Sequence, residues 1–193
     1  MTLSRADAAA LMEAWTDSES LRKHMLAVES ATAAYAYKLG GDETEWRVAA
    51  LLHDFDYEKH PTPDETGHPY VGVRFLRDQG VSERVLDAIM GHADYTGVAR
   101  ETPLAKALYA CDELTGLITA ATLVRPDKDV RNVELKSLKK KFKDKAFARG
   151  VNRNDVVRGA EELGVELWEH VAFVLSAMQK DADKLGLDGS GAA

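Results

Sequence analysis

The sequence predicts an all-α protein made of a bundle of helices. Apolar residues recur at three- and four-residue intervals along most of the 193 residues, and no segment alternates as a half-buried strand does. The five prolines fall mainly between these periodic segments, where a helix cannot continue. A composition of 45% hydrophobic and 30% charged residues is typical of a globular protein. We therefore expect one compact domain over residues 1–187.

Capping residues and helix breakers predict six helices in the first two thirds of the chain. Their expected bounds, in order, are Ser4 to Trp15, Ser18 or Ser20 to Gly40, Asp42 to the His53-Asp54 pair, Pro69 to Gly80, Ser82 to His92, and Pro103 onward. The polar residues at the starts can accept hydrogen bonds from the free amide groups of a first turn. We expect the functional core to lie within about residues 18–124.

Two further helices are predicted in the last third of the chain. A basic helix is expected from about Val133 to Phe147, and a long final helix from about Asn154 to Leu185. Apolar residues at helical spacing continue through this final stretch, which favours one uninterrupted helix. The small residues at 188–193 predict a flexible tail.

Charge and cysteine content narrow the classes of protein to consider. The chain carries 25 basic and 32 acidic residues, a net charge of −7, and this acidic total argues against a dedicated DNA-binding protein. Cys111 is the only cysteine, which excludes an intramolecular disulfide and favours a reducing environment. No apolar run approaches the roughly 18 residues of a membrane span, and no signal peptide is evident. We expect a cytoplasmic protein without membrane contact.

Several imidazole and carboxylate groups fall on the apolar faces of the predicted helices. His24 lies between Leu21 and Val28 in helical register, and His53 and Asp54 follow an apolar run. His92 and Asp112 each lie on the apolar face of a further predicted helix. A lone inward histidine is more often a hydrogen-bonded core residue. Inward histidines and aspartates on four separate helices are better explained by a divalent cation, since a buried carboxylate needs a partner.

This pattern resembles the HD-domain superfamily of helical metal-dependent phosphohydrolases. The family signature H…HD…D is matched by His24, His53-Asp54 and Asp112, over roughly Leu21 to Ile118. The resemblance implies that these four residues bind a first metal. It also implies that Asp54 bridges to a second, completed by His68 and His92. The expected cofactor is then two divalent transition metals per chain, from among Mn, Fe, Co, Ni and Zn.

The resemblance implies a hydrolase acting on phosphomonoesters or phosphodiesters, with nucleotides or related small molecules as the favoured substrates. A metal-activated water would attack the phosphorus, and Asp54 and Asp56 are the expected catalytic residues. Asp56 could instead orient a ligand histidine or cap a loop. Two alternatives stay open: a di-iron oxygenase of the same fold that cleaves a C–C or C–P bond, and a non-catalytic nucleotide sensor. The chain lacks the Gly-Tyr-Pro motif of cyclic-di-GMP phosphodiesterases.

The segment from Lys136 to Arg153 carries eight basic residues against one acidic residue, Asp144. This segment indicates a solvated amphipathic helix, or a source of substrate-binding cations, for which Lys140, Arg149 and Arg153 are the candidates. A nucleic-acid surface is the third interpretation, and the assignment of Phe142 and Phe147 to the core weighs against it. We therefore expect a small anionic phosphate-containing substrate rather than nucleic acid, and leave a homo-oligomer open.

Overall fold

The structure, a computed structural model, describes residues 3–191. Within this range the regular elements are helical, which confirms the predicted class, and one isolated antiparallel bridge joins Asp129 to Asp188. The helices are α1 (Arg5–Trp15), α2 (Glu19–Leu39), α3 (Glu43–Leu52), α4 (Tyr70–Asp78), α5 (Glu83–Gly91), α6 (Pro103–Leu123), α7 (Leu135–Lys143), α8 (Arg153–Leu163), α9 (Leu167–Lys180) and α10 (Ala182–Leu185). None of these helices is both long enough and apolar enough to cross a bilayer.

The chain divides into two compact units, Met1–Tyr109 and Ala110–Ala193. Helix α6 begins in the first unit and ends in the second. The expectation of a single domain over residues 1–187 stays a prediction.

Four helices of the first unit begin where a polar side chain caps them. In each case the cap accepts a hydrogen bond from the amide of the third residue after it, which satisfies a donor that the helix itself cannot. These caps are Ser4, Ser18, Asp42 and Ser82. The predicted starts are therefore correct, and Ser18 rather than Ser20 is the cap of α2.

Helix α3 is the centre of the first unit and contacts α1, α2 and α5. Of its ten residues, six are buried: Trp46, Val48, Ala49, Ala50, Leu51 and Leu52. Removing a leucine-sized side chain from water contributes about 1.5–3 kcal/mol, so this packing holds the end of α3 firmly. The chain that follows α3 is thus anchored at a well-packed point.

A buried charge network also stabilises the first unit. The carboxylate of Glu29 has a side-chain exposure of only 5% and accepts hydrogen bonds from Arg5 Nε at 2.8 Å and Arg47 Nη1 at 3.1 Å. The hydrogen bond and charge of Glu29 raise the pKa of Arg5. Two guanidinium groups thus compensate the desolvation of one carboxylate.

The second unit departs from prediction at its end, where the expected single helix from Asn154 to Leu185 is three helices. Gly164 has φ +74° and ends α8, and its amide donates to the carbonyl of Ala160. The Glu166 side chain then accepts from the amides of Trp168 and Glu169 and starts α9. A left-handed glycine followed by a capping carboxylate overrides the continuous apolar spacing.

The basic helix is also shorter than expected. Helix α7 ends at Lys143, where the chain turns to the extended conformation of Asp144 with ψ 101°. The flexible tail stays a prediction; Arg131 Nη2 donates to the carbonyl of Asp188, and Lys128 Nζ donates to that of Gly191. Residues 192 and 193 lie outside the described range.

Candidate metal centre

The predicted His53-Asp54 pair lies immediately after the last residue of α3. His53 is fully buried, and its Nδ1 lies 2.8 Å from the carbonyl oxygen of Ala50. Because a carbonyl can only accept a hydrogen bond, Nδ1 carries the proton, and Nε2 presents a lone pair to the centre. The end of α3 thus fixes both the position and the tautomer of this imidazole.

The Asp54 carboxylate lies between two pairs of histidines. Its Oδ2 is 3.8 Å from His24 Nε2 and 3.5 Å from His53 Nε2. Its Oδ1 is 3.3 Å from both His68 Nε2 and His92 Nε2. Within the pairs, the two Nε2 atoms are 3.3 Å apart for His24 and His53, and 3.2 Å apart for His68 and His92. One carboxylate therefore offers a separate oxygen to each pair.

Asp56 positions His68 through Nδ1, the ring nitrogen that does not face Asp54. Its Oδ1 lies 2.7 Å from His68 Nδ1, and its Oδ2 accepts a hydrogen bond of 2.7 Å from the amide of Gly72, in the first turn of α4. Asp56 is 1% exposed, so these bonds form away from water. An ionised carboxylate accepts the Nδ1 proton, which leaves the Nε2 lone pair of His68 facing Asp54.

Gly72 allows α4 to approach this carboxylate closely. A Cβ at this position would lie 2.6 Å from Phe55 Cε1 and 2.8 Å from Asp56 Oδ2. Both distances are shorter than real Cβ contacts, so a side chain would displace the helix or its neighbours. The glycine was not among the residues predicted for the site, although its place in the turn after His68-Pro69 is the signal that marks it.

His92 follows the last residue of α5 and is held in the same manner as His53. Its Nδ1 contacts the carbonyl oxygen of Ile89, so its Nε2 is also an acceptor. The Tyr95 hydroxyl donates a 2.7 Å hydrogen bond to the carbonyl of His68. Burial and the nearby carboxylates of Asp54 and Asp56 raise the pKa of Tyr95 to about 12. Tyr95 is a second residue of the site that the sequence did not single out.

Phe55 ties this polar segment to the apolar core. It is fully buried, and its ring centroid lies 4.9 Å from that of Trp15 and 6.5 Å from that of Phe75. The carbonyl of Phe55 accepts a hydrogen bond of 3.1 Å from the Thr16 hydroxyl. The segment that carries Asp54 and Asp56 is therefore held by packing between its two aspartates.

The second histidine pair fits a cation chemically. Asp54 Oδ1 and the Nε2 atoms of His68 and His92 are acceptors within 3.2–3.3 Å of one another, and both Nδ1 positions are occupied by hydrogen-bond acceptors. Three lone pairs at this separation repel unless a proton or a metal lies among them. Imidazole nitrogen and carboxylate oxygen are suitable ligands for Mn, Fe, Co, Ni or Zn.

The other residues predicted from the sequence lie in the second unit. Asp112 lies on α6, partly buried, and stays a predicted ligand. Lys140 and Arg149 are exposed, Lys140 on α7 and Arg149 in the loop after it. The Arg153 guanidinium donates to the carbonyls of Ala148, Val151 and Phe147, and so holds that loop.

Two further residues of the second unit, His170 and Cys111, have structural surroundings. His170 is buried, with its Nε2 2.8 Å from the carbonyl oxygen of Ala110. Cys111 is buried.

A curated relative and a family model each match part of this chain. The chain is 28% identical over 151 residues to Ribonuclease Y 2 of Levilactobacillus brevis, a match that covers 74% of this chain and 25% of that protein. The chain thus spans about a quarter of that relative's length. No solved structure matches the chain. The family model for the HD domain matches residues 21–117, which include both histidine pairs, Asp54 and Asp112. This chain therefore belongs to the HD domain family.

Proposed function

We propose that this protein is a metal-dependent phosphohydrolase with a dinuclear centre. The observation that carries the proposal is the position of Asp54, whose two oxygens each face a different pair of imidazole nitrogens. A single metal would use one pair and leave the other pair beside an unused carboxylate oxygen. HD domains are mostly found in metal-dependent hydrolases, which supports the assignment of reaction class.

In the proposed centre, His24, His53 and Asp112 share the first metal with Asp54, and His68 and His92 hold the second. Two aspartates contribute −2 against +4 from two divalent ions, so the loaded site keeps a positive charge. Such a site attracts anions and favours a phosphate ester as substrate. When bound, the metals would supply an acidified water and stabilise negative charge on the phosphoryl oxygens.

The residues around the proposed metals keep the ligands oriented. Asp56 holds the Nδ1 proton of His68, and the Ile89 carbonyl does the same for His92. These bonds keep both Nε2 lone pairs directed at one oxygen of Asp54. We assign Asp56 a positioning role in catalysis.

The proposed substrate is a small phosphomonoester or phosphodiester, and nucleotides are the favoured class. The similarity to a protein named as a ribonuclease supports a phosphodiester of a nucleotide. Lys140 and Arg149 are the proposed phosphate-binding cations, since both are exposed. For Arg153 we propose an indirect role, because its guanidinium holds the loop that carries Arg149.

The test measures metal content and hydrolysis in the same preparations. Elemental mass spectrometry is expected to find about two transition-metal equivalents per chain, and the loaded protein should hydrolyse bis(p-nitrophenyl) phosphate or a nucleotide panel. Asp54→Asn should lose metal from both sites and reduce turnover by at least about 10²-fold. Asp78→Asn makes the same chemical change on an exposed residue of α4 and should change neither quantity.

Other results would contradict the proposal in distinct ways. Full metal content and full turnover in Asp54→Asn would exclude the bridging role. Two iron ions with oxygen-dependent turnover and no hydrolysis would indicate an oxygenase. Nucleotide binding without turnover in a fully loaded preparation would indicate a sensor.

A further inference from the structure

Helix α7 and the loop after it form a cationic surface in the second unit, outside the residues matched by the family model. We call it the α7 surface. It carries seven basic side chains over fourteen residues: Lys136, Lys139, Lys140, Lys141, Lys143, Lys145 and Arg149. Five of these are exposed, and Lys139 and Lys141 are partly buried. The rest of the acidic chain has no comparable run of one charge.

These cations are not neutralised by the protein. Within residues 3–191, none of the seven forms a salt bridge. Elsewhere the chain pairs its helical cations at four-residue spacing, as Lys23 with Glu19 at 2.6 Å and Arg47 with Glu43 at 2.7 Å. On α7 the same spacing places lysine beside lysine, at positions 136 and 140 and at positions 139 and 143. Such pairs destabilise a helix unless an anionic partner lies against them.

The loop that completes the surface is ordered by the protein itself. Arg153 donates to three of its carbonyls, at Phe147, Ala148 and Val151. The Asp144 carboxylate accepts from the amide of Ala146 at 2.9 Å. The loop therefore presents its cations from a defined backbone, which lowers the entropy cost of binding an extended ligand.

Aromatic rings lie among the lysines. Lys139 Nζ is 5.2 Å from the Trp168 ring centroid, and Lys141 Nζ is 4.3 Å from that of Phe147. Phe142 packs edge-on against Trp168 at 5.4 Å. All three rings are partly buried, so Phe142 and Phe147 are not the core residues that the sequence predicted. The argument against a nucleic-acid surface rested on that expectation.

We propose that the α7 surface binds single-stranded nucleic acid. The seven cations extend along a helix of nine residues, about 13 Å long, and along the loop after it. This spread matches a chain of phosphates better than one phosphate group. Partly exposed rings lie beside the cations, and aromatic side chains in such a cationic groove are the groups with which unpaired bases stack. This inference shares Lys140 and Arg149 with the proposed hydrolase, but it concerns binding alone and requires no hydrolysis.

The test is equilibrium binding of a fluorescently labelled 20-nucleotide polyuridine RNA to the purified full chain, by anisotropy over a range of salt. The triple variant Lys136→Gln, Lys140→Gln, Lys143→Gln should bind at least about tenfold more weakly. Its plot of log affinity against log salt should be shallower by about 2, since each lost phosphate contact removes about 0.7. The matched control replaces three exposed lysines elsewhere, Lys23, Lys38 and Lys184, and should bind like the parent.

The outcomes separate this proposal from its competitors and from the proposed function. Gel analysis of the RNA after each titration reports cleavage independently of binding, so an inactive enzyme could still bind. Equal binding by the parent and the α7 triple variant would overturn the proposal, as would no binding at physiological salt. Tighter binding of a duplex of the same length would overturn the assignment to single strands. Binding to vesicles containing 30% anionic phospholipid, with none to RNA, would replace nucleic acid by a membrane surface.

Discussion

Gly72→Ala tests whether the close approach of α4 to Asp56 holds the metal centre together. The added Cβ would lie 2.6 Å from Phe55 and 2.8 Å from Asp56, which are 0% and 1% exposed. Overpacking of this kind costs about 1–3 kcal/mol. Replacing glycine in a helix recovers at most about 1 kcal/mol. We therefore expect a net loss of up to about 2 kcal/mol in the free energy of unfolding.

The same substitution should weaken metal binding more than it weakens the fold. Displacement of α4 lengthens the 2.7 Å bond from the Gly72 amide to Asp56, and Asp56 in turn orients His68. Loss of such an outer contact typically lowers metal affinity 10–100-fold. Urea denaturation and competition with a chromogenic chelator measure the two effects separately.

Gly116→Ala is the matched control for this prediction. Gly116 lies inside α6, and a Cβ there would meet its nearest atom, in Val151, at an ordinary 3.7 Å. The control should gain about 0.5–1 kcal/mol and keep its metal affinity. If Gly72→Ala matched the control in both stability and affinity, the reasoning from close approach would be refuted.

Four further predictions concern charge and metal. Asp56→Asn should lower metal affinity 10–100-fold with little change in circular dichroism, because an amide holds the Nδ1 proton of His68 less firmly. Glu29→Gln should cost about 1–3 kcal/mol in urea denaturation, whereas Glu83→Gln, on an exposed pair with Arg77, should cost much less because solvent screens that pair. The Arg77 hydrogen bond lowers the pKa of Glu83. This pair therefore stabilises the fold at pH values above the ordinary carboxyl pKa, and the stabilisation is lost as the pH falls through the lowered pKa. An NMR titration of the Glu83 carboxyl would measure the lowered pKa. Chelation should lower the melting temperature in calorimetry, since metal at 100 times its Kd contributes about 2.7 kcal/mol to stability. An unchanged melting curve after verified metal removal would show that metal binding does not stabilise the fold.

The helix starts of the first unit could be predicted because each depends on a local signal. Ser18, Asp42 and Ser82 each precede an apolar stripe, and each accepts a backbone amide as expected. The break at Gly164 was missed because Leu163 and Leu167 keep helical spacing across it. The left-handed backbone at that glycine interrupts the helix without disturbing the apolar pattern.

The residues of the histidine cluster could be predicted, whereas their mutual geometry could not. The HD pattern singled out four histidines, and the structure brings all four around Asp54. Which Asp54 oxygen faces which histidine pair depends on the backbone of the turn after Leu52. The spacing of apolar residues in the sequence does not describe that turn. The contribution of Gly72 is a backbone amide, and residue type alone does not reveal it.

The burial of Phe55 between Asp54 and Asp56 limits the insertions and substitutions that this segment can accept. A loop that carries ligands usually tolerates insertions and drifts in length, because its backbone is free of the core. Here the core residue Phe55 separates Asp54 from Asp56. An insertion of one residue before Asp54 would place a carboxylate at the core position and a phenyl ring at the position of Asp56. Loss of core packing and loss of the ligand set should therefore occur in one cooperative step on heating. Stabilising the Trp15, Phe55 and Phe75 cluster is then a route to a more heat-resistant metal centre that alters no ligand.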